Sequence, residues 1–160
     1  MSRQRTILTG EIERETPTAL FEALHREFRF DVDACARPEN AKVAKWFGLQ
    51  RDGTFVDGLE APWSRPGRAR TTVWCNPPYA HGSLALWLRK AWLETESGVT
   101  TVFLLPVDTS TVWFHSFVRD AEVRFLRGRL RFGGTKGPAP FASMIVIIRP
   151  REEGVVTCRL

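Results

Sequence analysis

The tetrapeptide Asn76-Pro77-Pro78-Tyr79 carries the most concentrated chemistry in the sequence. The Asn side chain offers a carbonyl acceptor and an amide donor group. Pro77 keeps its carbonyl, lacks an N–H and has a fixed φ, so it presents a rigid acceptor. Tyr79, the only tyrosine in the chain, adds a flat ring. Two acceptors and a stacking plate match a planar group with an exocyclic NH2, such as the amino group of adenine. The lone pair of that nitrogen is delocalised into the ring and is a weak nucleophile. Hydrogen bonds accepted from it favour the pyramidal, more nucleophilic nitrogen of the transition state, with no strong base needed beforehand. The competing reading is a plain proline-rich turn.

A second set of residues is basic. Arg119, Arg124, Arg127, Arg129, Arg131 and Lys136 crowd one short stretch, and the chain as a whole has 23 Lys+Arg against 18 Asp+Glu, a net charge of +5. Such a stretch is either a solvated strand face or a phosphate-binding one. The cysteines argue against other chemistries. Cys35, Cys75 and Cys158 are far apart, with no CxxC pair, so neither a zinc knuckle nor a disulfide framework fits, and no metal is expected. No P-C-x-x-C is present, which disfavours zinc-dependent deamination. His25 and His115 are read as structural. His81, just after the tetrapeptide, is either a substrate contact or a loop histidine.

The elements that must position these residues alternate. Thr16-Pro17 reads as a helix start, Thr as cap and Pro in the first turn, followed by Leu20, Phe21, Leu24 and Phe28 at helical spacing. Phe30-Asp31-Val32-Asp33 reads as a short strand ending in a carboxylate. A short helix is expected near residues 40–47, and Asp52-Gly53 and Asp57-Gly58 are turn signals. Residues 71–75 form a β-branched and aromatic strand that runs directly into Asn76. Leu84, Trp87, Leu88, Ala91 and Trp92 make a helical stripe, and residues 99–105 a buried strand that Pro106 ends. Thr109 or Ser110 would cap a helix carrying Trp113, Phe114 and Phe117. Strands follow at 121–126 and 141–149, with another expected at 128–132.

This alternation implies an α/β fold: a mostly parallel central sheet with helices on both faces. Ligands of such sheets sit at the carboxyl ends of the strands, which singles out Asp33, Asn76–Tyr79 and Pro106-Val107-Asp108. The 160 residues are one domain's worth, and 43% hydrophobic with 26% charged residues is a globular composition. Residues 1–15 read as an N-terminal arm and 16–160 as a single catalytic domain without a separate target-recognition domain. No secretory or membrane-spanning segment is evident, so a cytoplasmic protein is expected.

At Asn76-Pro77-Pro78-Tyr79 the chain resembles the S-adenosylmethionine-dependent methyltransferases of amino groups, which carry a D/N/S-P-P-Y/F loop after the fourth strand. Further stretches are similar to the phage-type, Dam-like DNA N6-adenine methyltransferases. They are Thr16-Pro17 with Leu20-Phe21, residues 30–36 with 39–42, Asp57-Gly58-Leu59 with Trp63, residues 73–79, Leu105-Pro106 with Trp113-Phe114-His115, Phe125 with residues 127–132, and residues 140–143. They run in family order through residues 16–148.

The resemblance implies a Rossmann-like class I methyltransferase fold and S-adenosylmethionine as cofactor. It implies Asn76, Pro77, Pro78 and Tyr79 as the catalytic loop. Thr16, Pro17, Asp33, Ala34, Asp57 and Asn76 would lie at the cofactor, with Asp52 competing with Asp57 for the contact to the cofactor's adenine. Two departures stand out: no GxG turn follows the first strand, and Asp108 stands where Arg or Ala is more usual.

On this reading DNA is the partner. The target base would be flipped out of the stack, with Tyr79 against it, while His81, Arg127, Arg129 and Arg131 would hold nucleic acid. Specificity would come from the loops at 64–70, 80–83 and 127–140, in a monomer or homodimer. The alternatives are the same loop acting on RNA adenine, cytosine N4 or a glutamine amide, and a nucleic-acid-binding module with a vestigial pocket.

Overall fold

The computed structural model describes residues 14–80 and 82–151. Helix α1 (Thr18–Phe28) leads into β1 (Val32–Ala36), β2 (Trp46–Leu49), β3 (Phe55–Val56) and β4 (Thr71–Cys75). Helix α2 (Ser83–Glu94) follows, then β5 (Val99–Pro106), a single π-helical turn (Phe114–Val118), β6 (Glu122–Phe125) and β7 (Ser143–Ile148). The strands form one sheet in the order β3-β2-β1-β4-β5-β7-β6. The centre, β2-β1-β4-β5, is parallel, whereas β3 pairs antiparallel with β2 and β7 runs antiparallel to both β5 and β6. The expected mostly parallel sheet is therefore a parallel centre with antiparallel margins.

Period-2 alternation sorts the core onto two faces. Val73 and Cys75, Phe103 and Leu105, and Met144, Val146 and Ile148 pack with Leu84, Trp87, Leu88 and Ala91 of α2. The alternate residues Trp74, Val102, Leu104, Ile145 and Ile147 pack with Phe21 and Leu24 of α1 and with Phe132. Each fully buried Val, Leu or Ile contributes about 2 kcal/mol over its exposed state. A one-residue slip would turn both sets around, so this pattern fixes the register.

Several expectations are corrected. Asp33 does not end β1; it is its second residue and pairs with Trp46. The segment expected to be helical near 40–47 enters β2 instead. Gly48 there has φ of 122°, and a Cβ on it would lie 2.0 Å from the Ala36 carbonyl oxygen. Only glycine permits that approach. Thr16 does not cap α1; the cap position is Pro17 and no side chain bonds there. The helix expected near Trp113 is present but short, residues 112–118 with π geometry from Phe114, and Phe114 N–H meets Thr111 Oγ1 rather than Thr109 or Ser110. Residues 128–132 form no strand; they run as an irregular segment held by the Ala139 N–H bond to the Leu130 carbonyl, 2.8 Å.

Candidate active site

The chain leaves β1 toward β2 on one side and leaves β4 toward β5 on the other. β1 and β4 are neighbours, so the topological switch point lies between their carboxyl ends. Asn76-Pro77-Pro78-Tyr79 begins one residue past the end of β4, at that point. Two prolines after the strand stop the sheet ladder and turn the chain outward.

Every polar atom of the Asn76 side chain is engaged. Its Nδ2 donates to the Arg14 carbonyl at 2.7 Å and lies 3.2 Å from Thr16 Oγ1. Its Oδ1 accepts from the Tyr79 hydroxyl at 3.0 Å, and that hydroxyl is equally close to the Leu104 carbonyl. A carbonyl oxygen has two lone pairs, so Oδ1 keeps one for a substrate N–H. Among the described residues nothing donates to the Pro77 carbonyl. The loop thus holds two acceptors, one aimed by Tyr79 and one rigid by covalent structure. Burial pushes the Tyr79 phenol well above its ordinary value, so it stays a donor.

The Tyr79 ring stands edge-on to Phe132 at 6.5 Å and to Phe141 at 5.7 Å between centroids. The Arg14 guanidinium lies over the Tyr79 ring at 5.3 Å and over the Phe141 ring at 5.2 Å. Arg14 and Glu15 were expected in a loose arm; instead they form a strap across the carboxyl edge. Gly133 N–H donates to the Glu15 carbonyl at 2.9 Å, and the Glu15 carboxylate pairs with Lys42 at 2.9 Å. A Cβ at Gly133 would meet Glu15 Cβ at 2.9 Å, so glycine is what lets the strap lie this close. Neither residue stood out in the sequence, because nothing in Arg14-Glu15 itself shows what it will touch.

The expected cofactor residues fall into two groups. Thr16 is buried and bonded to Asn76, and Pro17 follows it at the start of α1. Asp57 stands just after β3, takes the Leu59 N–H on Oδ1 at 2.9 Å, and its charge reaches Cys35 in β1. Asp52 sits at the exposed tip of the β2–β3 hairpin, holding Thr54 through N–H and hydroxyl at 2.9 and 2.7 Å. Asp33 and Ala34, by contrast, are 2% and 0% exposed. The Ala34 side chain is part of the core, and its carbonyl is closely covered by Gly58.

The Asp33 carboxylate accepts from Cys35 N–H at 3.3 Å and Lys42 N–H at 3.1 Å, so it pins the turn at residues 37–42. Burial pushes its carboxyl up to about 7, against the pull of those two amides. Burial likewise pushes the Cys35 and Cys75 thiols far up, which leaves them protonated and unsuited to nucleophilic attack.

The basic stretch divides. Arg124 pairs with Glu27 through two 2.7 Å bonds and with Glu122, while Arg149 pairs with Glu122. Arg127, Arg129 and Arg131 are exposed and make no ion pair among the described residues. Leu130, between Arg129 and Arg131, packs against the core, and Phe132, just after them, is part of it. The segment follows β6 at the carboxyl edge, and Phe132 ties it to Tyr79.

The loop at 64–70 is on the opposite edge. It precedes β4, about 16 Å of strand away from Asn76, and its Arg65 and Arg68 pair with Asp31 at 3.1 and 2.8 Å. The expected role of this loop in sequence readout is thus corrected by topology. Trp63 is fully buried and donates to the Gly58 carbonyl at 2.7 Å, so it belongs to the core. His25 Nδ1 accepts from Phe30 N–H, and His115 Nε2 lies 2.8 Å from the Thr109 carbonyl; both are structural. Asp108 closes its own turn by accepting from Ser110 N–H and hydroxyl. His81 lies outside the described residues.

A sheet of this order, with an amide-acceptor loop at the switch point, is the Rossmann-like architecture of methyltransferases. The chain belongs to the DNA N-6-adenine-methyltransferase (Dam) family, whose model matches residues 11–158. It is 35% identical over 109 residues to the DNA N-6-adenine-methyltransferase of Haemophilus phage HP1 (strain HP1c1), covering 67% of this chain and 57% of that protein. It is 29% identical over 154 residues to the DNA N-6-adenine-methyltransferase of Escherichia phage T1, covering 80% of this chain and 58% of that protein. The chain thus spans somewhat over half the length of these relatives. Among the described residues no helix is long and apolar enough to cross a membrane, and no cluster of ligands could hold a metal ion.

Proposed function

We propose that the chain transfers a methyl group from S-adenosylmethionine to the N6 amino group of adenine in DNA. The observation that carries this reading is the Asn76 side chain at the switch point, oriented on both sides and still holding a free lone pair. Family membership supports the reaction class and the polymer.

The fit of the cofactor rests on the donor set at the carboxyl edge. Thr16 and Pro17 stand beside Asn76 at this edge, and Asp57, just after β3, would accept from an amino or hydroxyl group of the cofactor. When bound, S-adenosylmethionine supplies an electrophilic methyl group on a sulfonium centre. Asp33 acts on this site indirectly, by holding the 37–42 turn.

Asn76 Oδ1 and the Pro77 carbonyl would accept the two N–H bonds of the adenine amino group. This steers its lone pair out of the ring and toward the methyl. Pro78 keeps the loop rigid, and Tyr79 holds Oδ1 in place. The proton of the resulting ammonium leaves to water after transfer, so no basic side chain is needed. Because N6 is buried in a duplex, the base must be flipped into the loop. Arg127, Arg129 and Arg131 would hold phosphates at the same edge.

The test is nucleoside mass spectrometry after incubation with S-adenosylmethionine and methylation-free DNA, with RNA in parallel. N6-methyladenine in the DNA arm is the expected product. Product in the RNA arm alone, or N4-methylcytosine, would keep the pocket chemistry and overturn the substrate. Absence of both product and cofactor binding by calorimetry would overturn the reading.

A further inference from the structure

The strap raises a steric question for the proposed reaction, on which this inference rests. A flipped adenine must lie flat against an aromatic face beside Asn76. One such face, formed by Tyr79 with Phe141, is already covered by a planar group, the Arg14 guanidinium, 5.3 Å and 5.2 Å from the two ring centroids. The rings stand at 71° to each other, so they form a corner that a flat cation fills.

The backbone of the same residue reaches the other half of the site. The Arg14 carbonyl takes the Asn76 Nδ2 proton at 2.7 Å. The backbone is further fixed by Glu15, through Gly133 and Lys42. The side chain is not fixed in this way: among the described residues the guanidinium has no carboxylate partner. Main chain and side chain of Arg14 are therefore held by different means.

We propose that Arg14 is a placeholder for the target base. In the free protein its guanidinium keeps the Tyr79–Phe141 corner covered and the Asn76 side chain preset. When DNA binds, the side chain swings off the rings and the base takes its place, while the backbone bond to Asn76 stays. The exchange is nearly balanced, since a cation over an aromatic ring and a base stacked on one are of similar strength. A polyanion tips it, because the guanidinium gains a phosphate when it leaves the ring. Arg14 is thus a positioning residue that sets how readily the base enters.

The test uses the full chain and a duplex carrying 2-aminopurine at the adenine shown by mass spectrometry to be methylated. Wild type, Arg14→Ala and Arg14→Lys are compared for 2-aminopurine emission at saturating protein, for the salt slope of DNA affinity, and for KM and kcat. Circular dichroism checks folding.

Removing the placeholder is expected to raise the flipped fraction roughly two- to five-fold, with KM for DNA lowered. Lysine keeps the charge but not the plane, so it is expected to resemble alanine. Emission unchanged or lower in both variants would overturn the proposal. So would Lys behaving like Arg, or a salt slope reduced by about one with KM raised, which marks a plain phosphate contact. Wild type that makes no N6-methyladenine would refute the proposed function itself, a different outcome from an active wild type with silent variants.

Discussion

Arg124 and Arg127 stand three positions apart in one basic stretch and end in opposite circumstances. Arg124 points across the sheet edge to Glu27 and Glu122, and its guanidinium also covers the Phe28 ring at 5.5 Å. It joins α1 to β6, and its charge is neutralised. Arg127, with Arg129 and Arg131, projects from an irregular segment whose alternate residues are anchored in the core. Its charge meets no carboxylate among the described residues, and the segment is tied to Tyr79 through Phe132. Net charge does not distinguish these arginines; the partner waiting on the neighbouring element does. A basic stretch is therefore evidence for a polyanion only after its internal ion pairs are subtracted.

Variants on the two sides of this divide should separate cleanly. Replacing Arg127, Arg129 and Arg131 together by Ala should lower DNA affinity by more than an order of magnitude at physiological salt. It should also reduce the slope of log K against log salt by roughly 2.7, at ~0.9 per phosphate contact. The melting temperature should not change. Titrations at several salt concentrations check this, and an unaltered slope would return these residues to a solvated surface.

Asp33 gives the opposite case, a charge buried without an ion pair. Its folded carboxyl is pushed up to about 7 from 3.8. The native state therefore binds more protons than the unfolded chain within that window, and stability should fall as pH rises from about 4 to about 7. Asp33→Asn should flatten that decline in denaturant titrations, at the cost of one amide acceptor for the 37–42 turn.

Arg124→Ala should behave as the mirror image of the triple variant. The melting temperature should drop by a few degrees while the salt slope of DNA binding stays put. Loss of slope in this variant would erase the distinction between the two arginine sets. The smallest effect is on the acid limb. The arginines hold Glu27 and Glu122 below their ordinary values. Their contribution is present above the unfolded carboxyl value and is lost as pH falls through the folded ones. The acid limb should therefore be shallower in Arg124→Ala than in wild type, as seen by thermal unfolding between about pH 2 and 5.

Much of this was legible in the sequence. The strands at 71–75, 99–106 and 143–148 announce themselves because both faces are buried and their apolar runs are continuous. The loop at residues 76–79 is legible because two prolines directly after such a strand end the ladder and turn the chain. The short elements were not. β2 is four residues beside a two-residue β3, and its shape depends on Gly48 meeting Ala36, a long-range contact without periodicity. The short helix at 112–118 carries Trp113, Phe114 and Phe117 as their spacing implies, but that spacing does not show its π geometry. In the site, residue types marked Asn76 and Tyr79. Their mutual bond, and the strap that presets Asn76, depend on Arg14 meeting a loop sixty-two residues away.

The central claim is that the Asn76 acceptor activates an adenine amino group. The most direct measurement is single-turnover methylation of DNA with S-adenosylmethionine by wild type and Asn76→Ala, with nucleosides read by mass spectrometry and cofactor affinity by calorimetry. The account predicts N6-methyladenine from wild type, and a rate at least ~100-fold lower from the variant, with cofactor affinity within a few-fold. Methylation by Asn76→Ala at the wild-type rate would contradict it.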